Sequence, residues 1–456
     1  MPSKSKRARM APVRNLSKTL LYWAIAVFVV KLIIIFNIQG GNIEISGRPF
    51  FLDGIWLGAD GENYITGFDA LSREGIFSEA GILNYWPAGY PLFILFLSFL
   101  CQSWVLTILA IVQSAIFSWA ILTFATQVTR TRLRNFSYFV FLLILLNPTL
   151  SLSSLTVGYE SLAASGFLIS LALIIQDLIE KNESKFKWRL IIVSAIFGFL
   201  TFIQPRLVLS GVLIVFFWLT VRKGFKLTLA FLAGSLVITL FFPATLIFRN
   251  NQATGINTIS NNLGNTMNLG AGDKATGGYN SKDKGVDCNI ENRTDNDLVK
   301  CVLKWYLKNP SKSLKLFYNK SIYFWSPWFG PEANGTMARN PWLKISPLRN
   351  ITSTQEGVDL VYGGFGKLLS WIWLLSGIAL LLNGFKFLWQ QKSLERFIAS
   401  LAMIAILTNW LISLISIGDH RFRIPIMGMS LFLQAIGIKA LFKGKKPLMV
   451  EVPPLR

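Results

Sequence analysis

The sequence predicts an all-α polytopic membrane protein, and three observations carry that prediction. Of its 456 residues 52% are hydrophobic and only 15% charged, with a mean hydropathy of +0.49. A water-soluble chain needs far more polar surface than this. The apolar residues fall into runs near the roughly 20 residues that cross a bilayer, at 19–38, 104–128, 136–154, 161–179, 190–203, 207–221, 227–247, 366–388, 397–417 and 424–442. The short connections between alternate runs are basic. They hold Arg130, Arg132 and Arg134; Lys181, Lys185, Lys187 and Arg189; Arg222, Lys223 and Lys226; Lys386, Lys392 and Arg396; and Lys443, Lys445 and Lys446.

Taken in order, the chain opens with a basic tail, 1–18, followed by an apolar run without a small-residue cleavage site. That run reads as a retained anchor helix rather than a signal peptide. The stretch 90–101 (YPLFILFLSFLC) is apolar but covers only about 18 Å as a helix, short of a core about 30 Å thick. If it crossed, every later basic loop would face outward, against the positive-inside rule. It therefore reads as an interfacial or re-entrant helix at the outer boundary, which leaves about ten spans and both termini cytoplasmic. Runs 190–203 and 207–221 meet at Gln204, Pro205 and Arg206. A proline kinks a continuous helix, so a hairpin with Arg206 at its outer tip is expected.

The predicted organisation is a cytoplasmic tail, 1–18; an N-terminal membrane module, 19–248, whose first outer loop is 39–103; an extracytoplasmic loop, 249–365; C-terminal membrane helices, 366–442; and a cytoplasmic tail, 443–456. The 249–365 loop is too long for a simple connector and is expected to cover a site. The formal charge of +22, from 45 Lys and Arg against 23 Asp and Glu, would suggest nucleic acid in a soluble protein. No basic and aromatic module is visible, so the expected partners are membrane lipids and phosphate-bearing substrates, not nucleic acid. The three cysteines lack metal-site spacing. Cys101 reads as a packing residue, whereas Cys288 and Cys301 share one polar loop and can pair if it faces an oxidising compartment; sequence alone leaves that open.

Asp60 stands in GADGENY, about twenty residues past the first span, at the start of a segment, 64–76, with helical spacing. A carboxylate there can act as a general base on a hydroxyl nucleophile; the plainer alternative is a helix cap. Glu62 and Tyr64 follow it. Glu160, in TVGYESL, sits at the outer end of a span, where an ionisable group must be hydrated, paired or functional. It is a candidate second acidic site, for an acceptor or a metal, with a hydrated cap as the alternative. Arg206, Arg249, Arg421 and Arg423 lie on the outer side against the charge bias. Guanidinium groups match phosphate oxygens bidentately, so these four are candidate phosphate ligands, snorkelling to headgroups being the alternative. His420 is the only histidine, which rules out a multi-histidine metal site. Tyr85, Trp86, Pro87, Gly89, Tyr90 and Pro91 read as an interfacial aromatic anchor.

In this order the motifs resemble the GT-C superfamily of integral-membrane glycosyltransferases, and more narrowly the bacterial relatives of protein O-mannosyltransferases and of the aminoarabinose transferase. The resemblance runs from about residue 20 to 440. It rests on Asp60 with Tyr64, the WPAGYPLF stretch from Trp86 to Phe93, Glu160 in GYESL, the segment beginning Arg249 and Asn250, and HRFRIP from His420 to Pro425. Two departures are the Gly61 between Asp60 and Glu62, and Pro87, Ala88 and Gly89 where relatives carry adjacent prolines.

The resemblance implies an enzyme of the cell (inner or plasma) membrane. It would move a hexosyl or pentosyl group, with inversion, from a polyprenyl-phosphate donor to a protein, lipid or glycan acceptor, with Asp60 as base. No cofactor is required by this reading; a divalent metal at Asp60 and Glu160 is the one candidate. The alternative function is transport, flipping or polymerisation of lipid-linked sugars.

Overall fold

A computed structural model of the chain describes residues 13–57, 60–278, 285–288, 294–325, 364–391 and 394–443. Most of the two tails, and residues 326–363 of the long loop, lie outside the described residues. The first helix, α1 (Val13–Asn37), leads into a β-hairpin of β1 (Gln39–Ile45) and β2 (Arg48–Asp53). Ile45 pairs with Arg48 across a two-residue turn, in which Ser46 and Gly47 both have positive φ, 52° and 75°. The first outer loop thus opens with a small hairpin in an otherwise largely helical chain. The run NIEISGRPFFLD alternates about a Ser-Gly turn, a usable hairpin signal. A short strand β3 (Trp56–Leu57) and helices α2 (Gly61–Glu74), α3 (Gly81–Tyr85) and α4 (Gly89–Ser98) complete the loop.

The membrane helices follow: α5 (Val105–Thr129), the pair α6 (Ser137–Leu145) and α7 (Pro148–Leu152), strand β4 (Thr156–Val157), α8 (Glu160–Glu180), α9 (Glu183–Ile203), α10 (Val208–Lys223) and α11 (Phe225–Thr254). Three helices outside this set, α12 (Leu263–Leu269), α13 (Asp295–Lys308) and α14 (Pro310–Trp325), precede α15 (Gly364–Trp389), α16 (Leu394–Ile415) and α17 (Ile424–Lys443). Eight described helices are long and apolar enough to cross a bilayer, and a bent pair, residues 134–145 with 149–155, makes nine. Of α15, the tenth expected span, the part from Leu374 to Trp389 ranks as a shorter apolar helix.

The expected unbroken span 136–154 is the clearest difference: its two halves meet at 58°. A proline has no N–H to continue a helix through this point, while Asn147 caps the new helix by accepting from Leu150 N at 2.9 Å. The broken end is pinned from α1. Lys31, 2% exposed, donates to Ser151 O at 2.8 Å and Ser154 Oγ at 2.9 Å, and its ammonium lies 4.1 Å from the Phe117 ring centroid.

Charges mark the two ends of the bundle. At one end Arg222 reaches Asp177 at 3.2 Å and Glu183 at 2.7 Å, Arg130 reaches Glu180 at 3.1 Å, Arg189 pairs with Glu180, and Glu395 accepts from Arg132 N. At the other end Ile38, just past α1, bonds Gly54, and Thr107 in the first turn of α5 bonds Asp53 O at 2.7 Å. So α1 ends and α5 begins at the same end. The intervening α4, ten residues and about 15 Å long, does not cross, in keeping with the parity expected from the basic loops.

Lys31→Met keeps the apolar stem but leaves buried acceptors on the broken span without their donor. We expect it to destabilise the detergent-solubilised protein by about 1–3 kcal/mol, seen as a lowered thermal unfolding midpoint; an unchanged midpoint would mean that Lys31 does not hold the break.

Candidate functional site

Two short strands bring the acidic motifs together. β3 pairs in parallel with β4, Trp56 opposite Thr156 and Leu57 opposite Val157. Each strand runs into a helix that begins with a carboxylate, Asp60 before α2 and Glu160 at the first position of α8. Residues a hundred apart in sequence thus stand at neighbouring helix N-termini, where the backbone dipole favours negative charge. Asp60 makes no side-chain cap, so the cap reading fails for it.

Arg421 stands between the acids. Its Nη1 lies 2.8 Å from Asp60 Oδ2 and its Nε 3.7 Å from Glu160 Oε1. The three side chains are only 13%, 15% and 10% exposed for Arg421, Asp60 and Glu160. Arg421 comes from the 3₁₀ turn His420–Arg423, and Asp419 caps that turn by accepting from Arg421 N at 2.8 Å.

Arg206 arrives from the α9–α10 tip, as expected, and its guanidinium stacks on Phe422 at 3.6 Å. Its Nη2 donates to Asn409 Oδ1 at 3.2 Å and Ser413 Oγ at 2.9 Å. The guanidinium carbon of Arg421 lies 5.4 Å from the same Phe422 ring. Arg423 is 7% exposed and sits 5.8 Å from the Trp325 ring. Among the described residues Arg206 has neutral hydrogen-bond partners and no ion pair, whereas Arg421 is balanced by two acids.

Two expected site residues stand elsewhere. Arg249 is 2% exposed and is used up on the first outer loop: it donates to Ile76 O at 3.0 Å, Asn84 Oδ1 at 3.3 Å, Asn250 Oδ1 at 2.9 Å and Ser78 O. It clamps residues 76–84 to the end of α11 rather than joining the other arginines. Glu62 is exposed on α2, one position past the buried start of the helix. Tyr64 is 2% exposed and lies against Tyr90, ring centroids 4.8 Å apart. Burial first and the Asp60 carboxylate second push its hydroxyl well above the usual range. Tyr159, which sequence reading passed over, has its hydroxyl pushed up to about 12 by burial and by Glu160. Both phenols therefore stay neutral near pH 7 and can donate a hydrogen bond but not serve as bases.

Among the described residues no group of three or more His, Cys, Asp and Glu is arranged to hold a metal ion. Asp60 and Glu160 are the two acids that converge, and they face a guanidinium. The side chain of His420 lies outside those described.

The segment after α11 docks on this end. Gly418 N bonds Gly277 O at 2.8 Å. Lys320 on α14 donates to Tyr306 Oη at 2.7 Å, Leu414 O at 3.0 Å and Ser416 O, capping α16 just before the Asp419–Arg423 turn. Cys288 and Cys301 are paired, which settles the pairing left open by the sequence and ties residues 285–288 to α13.

Burial pulls the Lys320 ammonium down to about 7. A cation whose folded pKa is depressed below its unfolded value destabilises the fold while both forms are protonated, and relief comes as pH rises from about 7 towards the unfolded value. The gap in thermal midpoint between wild type and Lys320→Met is therefore expected to widen from pH 7 to pH 9; a constant gap would refute this.

No protein-family model and no curated protein sequence matches this chain. A solved structure of similar overall course is the archaeal oligosaccharyltransferase AglB from Archaeoglobus fulgidus, in complex with an inhibitory peptide and a dolichol-phosphate. It shares 14% identity at a TM-score of 0.45, over 92% of this chain and 50% of that one. The present chain spans about half the length of that protein, and a likeness this distant carries no functional weight.

Proposed function

We propose that the protein is an integral-membrane glycosyltransferase. It would move a sugar, with inversion, from a polyprenyl-phosphate donor to an acceptor hydroxyl on the extracytoplasmic side. The observation that carries this reading is the convergence of Asp60, Glu160, Arg421 and Arg206 at the end of a membrane bundle on which α14 docks.

Asp60 presents Oδ2 to Arg421 and has its second oxygen for the acceptor. That oxygen takes the hydroxyl proton while the acceptor oxygen attacks the anomeric carbon. The bond from that carbon to the phosphate oxygen breaks, and polyprenyl phosphate leaves with the electron pair. A phosphate is a good leaving group without protonation, so one base suffices, unlike the two carboxylates of glycoside hydrolysis.

The leaving charge needs a cation that the protein has not already neutralised. Arg206, held among the described residues by neutral groups, meets that need best; Arg423, from the same 3₁₀ turn as Arg421, is a further candidate phosphate ligand, and Arg421 instead orients the base. Glu160 bounds the acceptor side. Charge supports the outward orientation of this end, since the short basic loops gather at the opposite one. A disulfide in the covering segment agrees with an oxidising compartment.

Purified protein incubated with a panel of polyprenyl-phosphate hexoses and pentoses should release free polyprenyl phosphate from at least one. Asp60→Asn is expected to lower that release by about 10²–10⁴-fold while size-exclusion profile and thermal midpoint stay unchanged. Near-normal turnover of the variant would remove Asp60 from the role. Movement of intact donor across vesicles without release would favour transport.

Because Arg421 occupies the position between the two acids, chelation with EDTA is expected to leave turnover unchanged. Loss of activity that Mg²⁺ or Mn²⁺ restores would put a cation at Asp60 and Glu160 instead.

A further inference from the structure

We infer that Tyr90, backed by Gln113, is a positioning residue that sets the Glu160 carboxylate against the Asp60–Arg421 pair. The inference rests on the reading of the site given above. Tyr90 and Gln113 are both 0% exposed. The Tyr90 hydroxyl accepts from Gly158 N at 2.9 Å and donates to Gln113 Oε1 at 3.0 Å. Gln113 Nε2 in turn donates to Thr156 O at 2.9 Å and Ser154 O at 3.3 Å.

These bonds form a closed ring through residues 156–158, and each proton has one place in it. Carbonyl oxygens only accept and the Gly158 amide only donates, so the Gln113 amide and the Tyr90 hydroxyl have a single consistent orientation. The ring holds the turn from which Glu160 projects. Glu160 Oε2 folds back over Gly158, where a side chain on that residue would collide with it, so fixing the Gly158 amide fixes the carboxylate.

Tyr90 also braces the other acid. Its ring packs on Tyr64 at 4.8 Å, and Tyr64 N closes the first turn of α2 onto Asp60 O at 3.1 Å. One residue of α4 thus touches both arms of the site, through its ring on the Asp60 side and its hydroxyl on the Glu160 side. An aromatic anchor at the bilayer surface would need neither the hydroxyl nor a buried glutamine behind it.

Tyr90→Phe separates the two functions: the ring stays and the hydroxyl goes. With the donor that supports turnover in the panel, kcat is expected to fall by about tenfold, equivalent to about 1.4 kcal/mol, with donor KM changed by less than about twofold. In a Glu160→Gln background the same change should cost nothing further, since the group it positions is gone. Gln113→Ala should reproduce the loss without adding to that of Tyr90→Phe.

Full kcat in Tyr90→Phe would overturn the inference. So would an equal loss in the wild-type and Glu160→Gln backgrounds, which is what a general loosening of the fold produces. Asp60→Asn in the same assay judges the underlying reading separately. Turnover retained there sinks the base assignment, whereas the coupling of Tyr90 to Glu160 stands or falls on its own ratio.

Discussion

The ion triad of Asp60, Arg421 and Glu160 is the constraint around which this end of the molecule is arranged. Two carboxylates and a guanidinium have been taken largely out of water, with exposures between 10% and 15%. Removing Arg421 would leave two buried carboxylates without their counter-charge, a loss of several kcal/mol in comparable sites, about 3–5, whereas removing one acid leaves Arg421 paired with the other. Such a group persists only where the surroundings dictate its geometry. Here the dictation comes from three directions: the β3–β4 pairing sets the acids side by side, Asp419 caps the turn that carries Arg421, and Lys320 closes the end of α16 leading into that turn.

Charge is sorted along the bundle by role. At the end opposite the triad, Arg130, Arg189, Arg222 and Lys223 meet Asp177, Glu180 and Glu183 in one network. That network joins the ends of α5, α8, α9 and α10. At the triad end the balance is different: Arg421 faces two acids, whereas among the described residues Arg206 has no ion pair. Stacking on Phe422 and two neutral acceptors hold Arg206 in place. A guanidinium without a direct ion pair, close to a paired acid, is the electrostatic arrangement expected where negative charge develops during a reaction.

The spans were legible because crossing a bilayer demands a long apolar run whatever the tertiary context. The run 104–128 became Val105–Thr129 and the run 161–179 became Glu160–Glu180. The hairpin tip at Pro205 was legible because a proline kinks a helix and an unbroken one would have reversed the basic loops that follow. The break at Pro148 carried the same local signal, yet apolar residues on both sides concealed it; the polar partners that a broken helix needs there come from other helices, Lys31 of α1 and Gln113 of α5. The small β-hairpin carried its signal in a period of two about a Ser-Gly turn, which a search for long apolar runs does not register.

Residue types and their order along the chain determined the membrane class, the alternation of basic loops and the presence of acids and arginines at one boundary. Those are properties of short segments, and solvation decides them locally. Which arginine meets which acid was settled by the tertiary structure alone, since such pairing depends on distances between segments hundreds of residues apart. Arg249 and Arg421 look alike in sequence, each a cation at the outer edge of a helix. The fold hands one to the carbonyls of the first outer loop and the other to Asp60 and Glu160, because a guanidinium takes whichever oxygens the packed helices place within its reach.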